Sequence, residues 1–74
     1  MVQKVIDLCS IKCPLPVLRT RKALAASEPG DLLIVSCTDP LSGIDIPHLL
    51  NETGDVLEAT HSEARLITFW IRKR

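Results

Sequence analysis

The sequence predicts a two-layer α/β sandwich, an α+β fold in which two helices cover one face of a mixed four-stranded sheet. Two observations carry this prediction: strand-like and helix-like segments follow one another in the order βαβαββ, and proline and glycine punctuate the joints between them. The chain has 74 residues, of which 46% are hydrophobic and 24% charged. This length suits one modest core, so we expect residues 1–74 to form a single globular domain.

The first three elements follow from local pattern. The run VQKVIDL at 2–8 is rich in β-favouring residues and predicts a strand. A helix is expected at 14–26, and SEPG at 27–30 ends it. The segment DLLIVSC at 31–37 is almost continuously apolar, which predicts an inner strand covered on both faces.

The segment that follows the inner strand offers two helix starts. Asp39 precedes Pro40, and Asp45 stands two residues before Pro47, and an aspartate cap with proline in the first turn suits either position. Because Pro47 would interrupt a helix that began at Pro40, we expect a turn at 39–44 and a helix at 46–53. Gly54 would end that helix.

The last 20 residues contain two strand-like runs, 56–60 and 65–72, with HSEA at 61–64 as the hairpin between them. Side chains alternate between the two faces of a strand. On the core face of the final strand we expect Ile67, Phe69 and Ile71. Trp70 then lies on the open face of the sheet, either as part of a partner surface or as a strand residue partly covered by its neighbours.

Composition excludes several classes of function. The net charge is 0 and the pI about 6.7, whereas a domain that binds nucleic acid directly usually carries a basic excess. The longest apolar run, LLIV at 32–35, falls far short of the ~20 residues of a membrane span. The first residues lack the apolar stretch of a secretory signal, which predicts a cytoplasmic protein.

The three cysteines predict free thiols, because an odd number in a chain with no export signal argues against a disulfide framework. No CxxC pair exists, and His48 and His61 have no ligand-like spacing, so we expect no metal and no other cofactor. Both histidines are expected at the surface. Cys37, at the end of the inner strand, is expected to be a small buried residue.

The stretch SIKCPLPVLRTRKAL at 10–24 places Cys13 directly before Pro14, with Pro16 two residues later. A residue before proline is restricted to extended geometry, which is also the geometry of a helix N-cap. Both prolines fall where a backbone N–H has no intrahelical acceptor. The pattern therefore predicts that Cys13 caps a stiff helix start, whose positive end favours a nucleophilic thiolate.

Helical spacing separates this helix into two faces. One face carries Pro14, Val17, Leu18, Leu24 and Ala25. The other carries Leu15, Arg19, Lys22 and Ala26, which would leave Leu15 exposed beside Cys13.

The first 22 residues contain five basic residues and one acid, whereas residues 28–63 contain eight acids and no lysine or arginine. This segregation predicts either a surface that steers an acidic partner to the thiol or an ordinary solvated helix face. On the first interpretation the docking residues are Lys12, Leu15, Arg19 and Lys22.

The segment DLCSIKCPLPVLRTRKAL closely resembles the DxxGxxCPxP signature of the TusA/SirA-like sulfur-carrier family of CPxP-motif proteins, and TDPLSGIDIP at 38–47 resembles that family's second segment. The resemblance implies a βαβαββ sandwich and a persulfide carried on Cys13. It also implies a sulfur donor such as a cysteine desulfurase and a downstream acceptor protein. Ser10 departs from the pattern, which usually has glycine there. The other motif residues are Asp7, Pro14 and Pro16.

Three functions follow as hypotheses. The first is a sulfur carrier, or sulfurtransferase in the relay sense, that acts through Cys13. The second is a redox switch in which Cys9 and Cys13 form a reversible disulfide, although Cys9 also suits a structural position at the end of the first strand. The third is a regulatory or protein-binding module in which the CPxP turn is structural and the open sheet face around Trp70 makes the contact.

Overall fold

The computed structural model describes residues 2–9, 11 and 15–74. Its element order is βαβαββ, and this confirms the predicted fold class. The elements are β1 Gln3–Leu8, α1 Leu15–Ala25, β2 Leu32–Cys37, α2 Ser42–Thr53, β3 Val56–Glu63 and β4 Leu66–Arg72.

The four strands form one mixed sheet in the order β1-β2-β4-β3. β1 pairs parallel with β2, and β4 lies antiparallel between β2 and β3. The crossovers from β1 to β2 and from β2 to β3 therefore run in the same direction across the sheet. Right-handed connections of this kind place both helices on one face.

The core lies between the helices and that face of the sheet. Phe69 and Ile71 are fully buried and Ile67 packs against them, as predicted. Trp70 is half-buried on the open face, paired with Ile34. The buried hydrophobic residues are Leu8, Leu24, Leu33, Val35, Cys37, Ile46, Leu49, Leu50, Phe69 and Ile71.

β2 is an inner strand, but the prediction that both its faces are covered was wrong. Leu33, Val35 and Cys37 are buried, whereas Leu32 and Ile34 are only half-buried. The sequence of β2 is apolar throughout and does not show this difference in burial. The difference arises because both helices lie on the same side of the sheet.

The buried stripe of α1 matches neither of the two faces that helical spacing separated. It consists of Pro16, Thr20 and Leu24, while Leu18 is 53% exposed. The Thr20 hydroxyl donates a hydrogen bond of 2.7 Å to the carbonyl oxygen of Pro16. A hydroxyl that bonds back to the preceding turn can be buried without an unsatisfied polar group, so this position accepts threonine in place of an apolar residue.

α2 begins at Ser42, not at residue 46 as predicted, and so includes the second half of the expected turn at 39–44. The Asp39 carboxylate accepts the N–H of Leu41 at 2.9 Å, which favours the earlier start. Pro47 lies inside the helix, where its missing N–H would have bonded the carbonyl of Gly43. Because Gly43 is exposed, water can satisfy that carbonyl. Gly54 ends the helix with φ 83°, as predicted.

The hairpin between β3 and β4 turns at Ala64 and Arg65, not over 61–64, and β3 extends to Glu63. Ala64 has a φ of 53°, a left-handed conformation that hairpin turns usually assign to glycine or asparagine. The sequence therefore gives no usual turn signal at this point, and the predicted boundary was wrong.

The two ends of the sheet differ. The closed end is the amino end of β2, where buried Asp31 and Asp55 tie neighbouring segments together. The open end is the carboxyl end of β2, where β1 also ends and both helices begin.

Candidate functional site at the open end

The predicted site falls in the connection from β1 to α1 at the open end. Its flanking residues are described: Cys9 follows β1 directly, and α1 begins at Leu15, two residues after Cys13 in the sequence. Lys12, Cys13 and Pro14, together with Ser10, lie outside the described residues. The helix cap at Cys13 and the docking role of Lys12 therefore remain predictions.

Pro16 anchors the beginning of α1. It is fully buried in the first turn of the helix, and its carbonyl accepts the Thr20 hydroxyl. Because proline has a fixed φ and lacks an N–H, it suits this turn, where the amide groups have no helical partner. Pro16, the second proline of the CPxP motif, is thus buried in the fold as well as being part of the motif.

Asp7 organises the chain directly after β1. Its Oδ1 atom accepts the backbone N–H of Cys9 at 2.9 Å, which holds the carboxylate beside Cys9. The bond from the backbone N–H, followed by that from the thiol, lowers the pKa of Asp7. The hydrogen bond to Asp7, then partial burial, then the charges of Asp7 and Cys37 raise the pKa of Cys9.

Cys37 occupies the end of β2, opposite Leu8 in the parallel pair, and is fully buried as predicted. Burial raises the pKa of this thiol, a hydrogen bond with Ser42 lowers it, and the charge of Asp39 raises it again. A thiol with no exposed surface and a disfavoured thiolate is a poor nucleophile. Cys37 thus belongs to the core.

Apolar side chains are exposed around the start of both helices. Leu15 is 47% exposed, as predicted, and Leu18 lies one turn further along α1. On α2, Leu41 is 51% exposed and Ile44 69% exposed. We call Leu15, Leu18, Leu41 and Ile44 the apolar rim. Exposed apolar groups at one end of a small domain are typical of a surface that contacts another protein.

The basic side chains of α1 differ in their pairing. Arg21 forms an ion pair of 3.1 Å with Glu52, whereas Arg19 and Lys22 have no carboxylate partner among the described residues. Arg65, in the β3–β4 turn, likewise has no carboxylate partner within the ranges that the structure describes. Sequence reasoning missed Arg65 because only the antiparallel pairing of β2 with β4 brings that turn to the open end.

Arg65 lines a recess of about 420 Å³ between the β2–α2 connection and the hairpin. Its walls are Thr38, Pro40, Ser62, Ala64, Arg65 and Ile67. The recess thus lies at the open end, between the β2–α2 connection and the β3–β4 turn.

Both histidines lie on the surface, as predicted. His48 contacts Glu52 at 3.3 Å and His61 contacts Glu63 at 3.6 Å. Across residues 2–9, 11 and 15–74 no cluster of histidine, cysteine or acidic side chains has the form of a metal site. The helices within those ranges are too short or too polar to cross a membrane.

The fold and the open end together define a small two-layer α/β protein. A CPxP cysteine segment leads into its first helix, and the apolar rim is exposed beside the start of both helices. The family model described as "Sulfurtransferase TusA" matches residues 4–73. The chain therefore belongs to the TusA family, as the motif predicted.

Named relatives agree with this family. A protein of Allochromatium vinosum, "Sulfur carrier protein TusA", is 37% identical over 68 residues, which cover 92% of this chain and 90% of the relative. A Pseudomonas aeruginosa protein of the same name is 34% identical over 73 residues, covering 99% and 92%. A Bacillus subtilis relative is 38% identical over 71 residues, covering 95% and 93%.

Proposed function

We propose that this protein is a sulfur carrier that accepts sulfane sulfur as a persulfide on Cys13 and passes it to an acceptor protein. The family match carries the proposal, since it spans residues 4–73 and thus includes the CPxP segment. The relatives named as sulfur carriers support the same role. In this proposed role the protein acts in the cytoplasm as a relay and needs no cofactor.

The two described cysteines support Cys13 as the carrier by contrast. Cys37 has no exposed surface, and the neighbouring Asp7 raises the pKa of the Cys9 thiol. Sulfur relay needs a thiolate that reaches a partner's persulfide, attacks its terminal sulfur and releases the partner's thiolate. Neither described thiol meets both conditions. Cys13, two residues before α1 begins, is expected to meet them because a helix N-terminus favours an anion.

Loading with inorganic polysulfide, followed by mass spectrometry of alkylated peptides, tests the proposal. We expect the mass of one added sulfur atom on Cys13. Cys13→Ser should abolish this loading, whereas the matched variant Cys37→Ser should retain it. The loss of two hydrogens across Cys9 and Cys13 would instead indicate the redox switch, and no change at all would favour the binding module.

The thermal stability of Cys13→Ser separates a carrier cysteine from a structural one. Serine is itself a good N-cap, so we expect the variant to keep the parent Tm. A large fall in Tm would indicate that the CPxP turn is structural.

The proposed partners are a donor protein such as a cysteine desulfurase and a downstream acceptor, and both would dock at the open end. The apolar rim offers contact area around the connection that contains Cys13. Arg19 and Lys22, unpaired within the described part of the chain, are available to attract acidic groups of a partner. Lys12 is expected to add to this charge. Successive partners would thus use one surface.

A further inference from the structure

Asp7 and Cys9 form a contact that the carrier role of Cys13 does not use. The Asp7 carboxylate accepts the Cys9 N–H at 2.9 Å, which holds its negative charge beside Cys9. Cys9 is half-buried and Asp7 is exposed. Among the described residues, Asp7 and Cys37 are the titratable groups that act on Cys9. Cys37 is buried, so Asp7 supplies the charge at the accessible side.

A second reactive thiol would interfere with a persulfide four positions along the chain. If a Cys9 thiolate attacked the terminal sulfur of a Cys13 persulfide, a Cys9 persulfide would form and the Cys13 thiolate would leave. If it attacked the inner sulfur, a Cys9–Cys13 disulfide would form and hydrosulfide would leave. Both reactions balance without an oxidant, and both divert the sulfur. Each requires Cys9 as a thiolate.

We propose that Asp7 is a specificity residue that holds Cys9 in its thiol form and thereby confines sulfur to Cys13. The negative charge of the carboxylate, held beside Cys9, opposes a second negative charge on the Cys9 sulfur. The bond to the Cys9 N–H keeps the two groups together after the strand ends. The benefit of this arrangement rests on the proposed carrier function, but the effect on Cys9 does not.

The first experiment measures how fast iodoacetamide alkylates Cys9 at each pH, with peptide-resolved mass spectrometry. Asp7→Asn keeps an oxygen acceptor for the backbone N–H but removes the charge. We expect its Cys9 profile to shift to lower pH, with faster alkylation at pH 7 than in the parent protein. Coincident profiles would overturn the proposal.

Two variants control this result. Asp39→Asn is the matched change at the end of β2, where the carboxylate accepts the N–H of Leu41 at 2.9 Å in the same i to i+2 geometry. It should leave the Cys9 profile in place. Asp7→Glu keeps the charge and should remain closer to the parent profile than Asp7→Asn. A shift of equal size in both Asp7 variants would mean that altered packing exposes Cys9, and this too would overturn the proposal.

The second experiment follows sulfur itself, with inorganic polysulfide as the donor. We expect persulfide on Cys13 alone in the parent, on both cysteines or as a Cys9–Cys13 disulfide in Asp7→Asn, and on Cys13 alone in the double variant Asp7→Asn, Cys9→Ser. Sulfur confined to Cys13 in Asp7→Asn would refute the specificity role. If Cys13 accepted no sulfur in any protein, the proposed function would fail, whereas the alkylation profile would still decide whether Asp7 controls Cys9.

Discussion

The closed end of the sheet has buried aspartates, whereas the open end has exposed leucine and isoleucine side chains. At the closed end, Asp31 accepts the N–H groups of Val2 and Glu28, both at 3.0 Å, and Asp55 accepts the N–H of Arg74 at 3.0 Å. At the open end, leucine and isoleucine side chains face solvent around the helix starts. The closed end thus joins the chain termini to the strands, which leaves the open end available for contact with partners.

α1 contains both a buried and an exposed leucine, and a matched pair of substitutions compares their contributions to stability. Leu24 is 2% exposed, whereas Leu18 is 53% exposed. Leu24→Ala should lower the free energy of unfolding by about 2–5 kcal/mol, because it removes buried apolar groups and leaves a cavity. Leu18→Ala should change it by no more than about 0.5 kcal/mol. Urea denaturation measures both.

Leu18→Ala has a second readout at the open end. We expect it to slow sulfur transfer from a donor protein while its stability remains that of the parent. Normal transfer by this variant would remove Leu18 from the docking surface, and a large loss of stability would contradict the assignment of Leu18 to the exposed side of α1.

Asp31 gives the closed end a dependence on pH. The N–H groups of Glu28 and Val2 and the charge of Lys4 lower the pKa of Asp31, although burial opposes this shift. A carboxylate with a lowered pKa stabilises the fold above its ordinary pKa, and this contribution is lost as the pH falls through the lowered value. Asp31→Asn should therefore lower the Tm at pH 7, because asparagine offers only one acceptor oxygen for two N–H groups.

The difference in Tm between Asp31→Asn and the parent should shrink as the medium becomes acidic. Asp7→Asn, which changes an exposed aspartate at the open end, should have the smaller effect at neutral pH. Equal losses of Tm for the two variants would show that stability is not concentrated at the closed end.

Charge reversal gives the smallest expected effect, since it acts on the encounter of two proteins. Arg19→Glu at the open end should reduce the rate of association with a donor protein, whereas Arg74→Glu at the closed end, with the same change in net charge, should not. Salt should slow the parent in the same manner, because exposed charges are screened over about 8–10 Å. Stopped-flow transfer assays at low and physiological salt measure both effects.

Alkylation of Cys13 by iodoacetamide is the control, since a small neutral reagent does not need the basic surface. If transfer proves indifferent to salt and to both reversals, docking does not depend on these charges.

Local patterns predicted the order of elements because each strand and helix carries its own periodicity, and proline or glycine marks most of the joints. Two predicted boundaries, the start of α2 and the β3–β4 turn, were wrong because the local signal was misleading there. Pro47 lies inside α2 because the carbonyl it leaves unpaired belongs to exposed Gly43. Ala64 forms a hairpin turn that composition does not mark.

By itself, the sequence determined the fold class, the family and the cysteine expected to carry sulfur, because these follow from periodicity and from a short contiguous motif. Only the tertiary structure decided which side chains surround that motif. It buried Thr20 and exposed Leu18, brought Arg65 to the open end, and set Asp7 against the thiol of Cys9. The physical reason is that exposure and charge pairing depend on the order and direction of strands, which residues distant in sequence establish together.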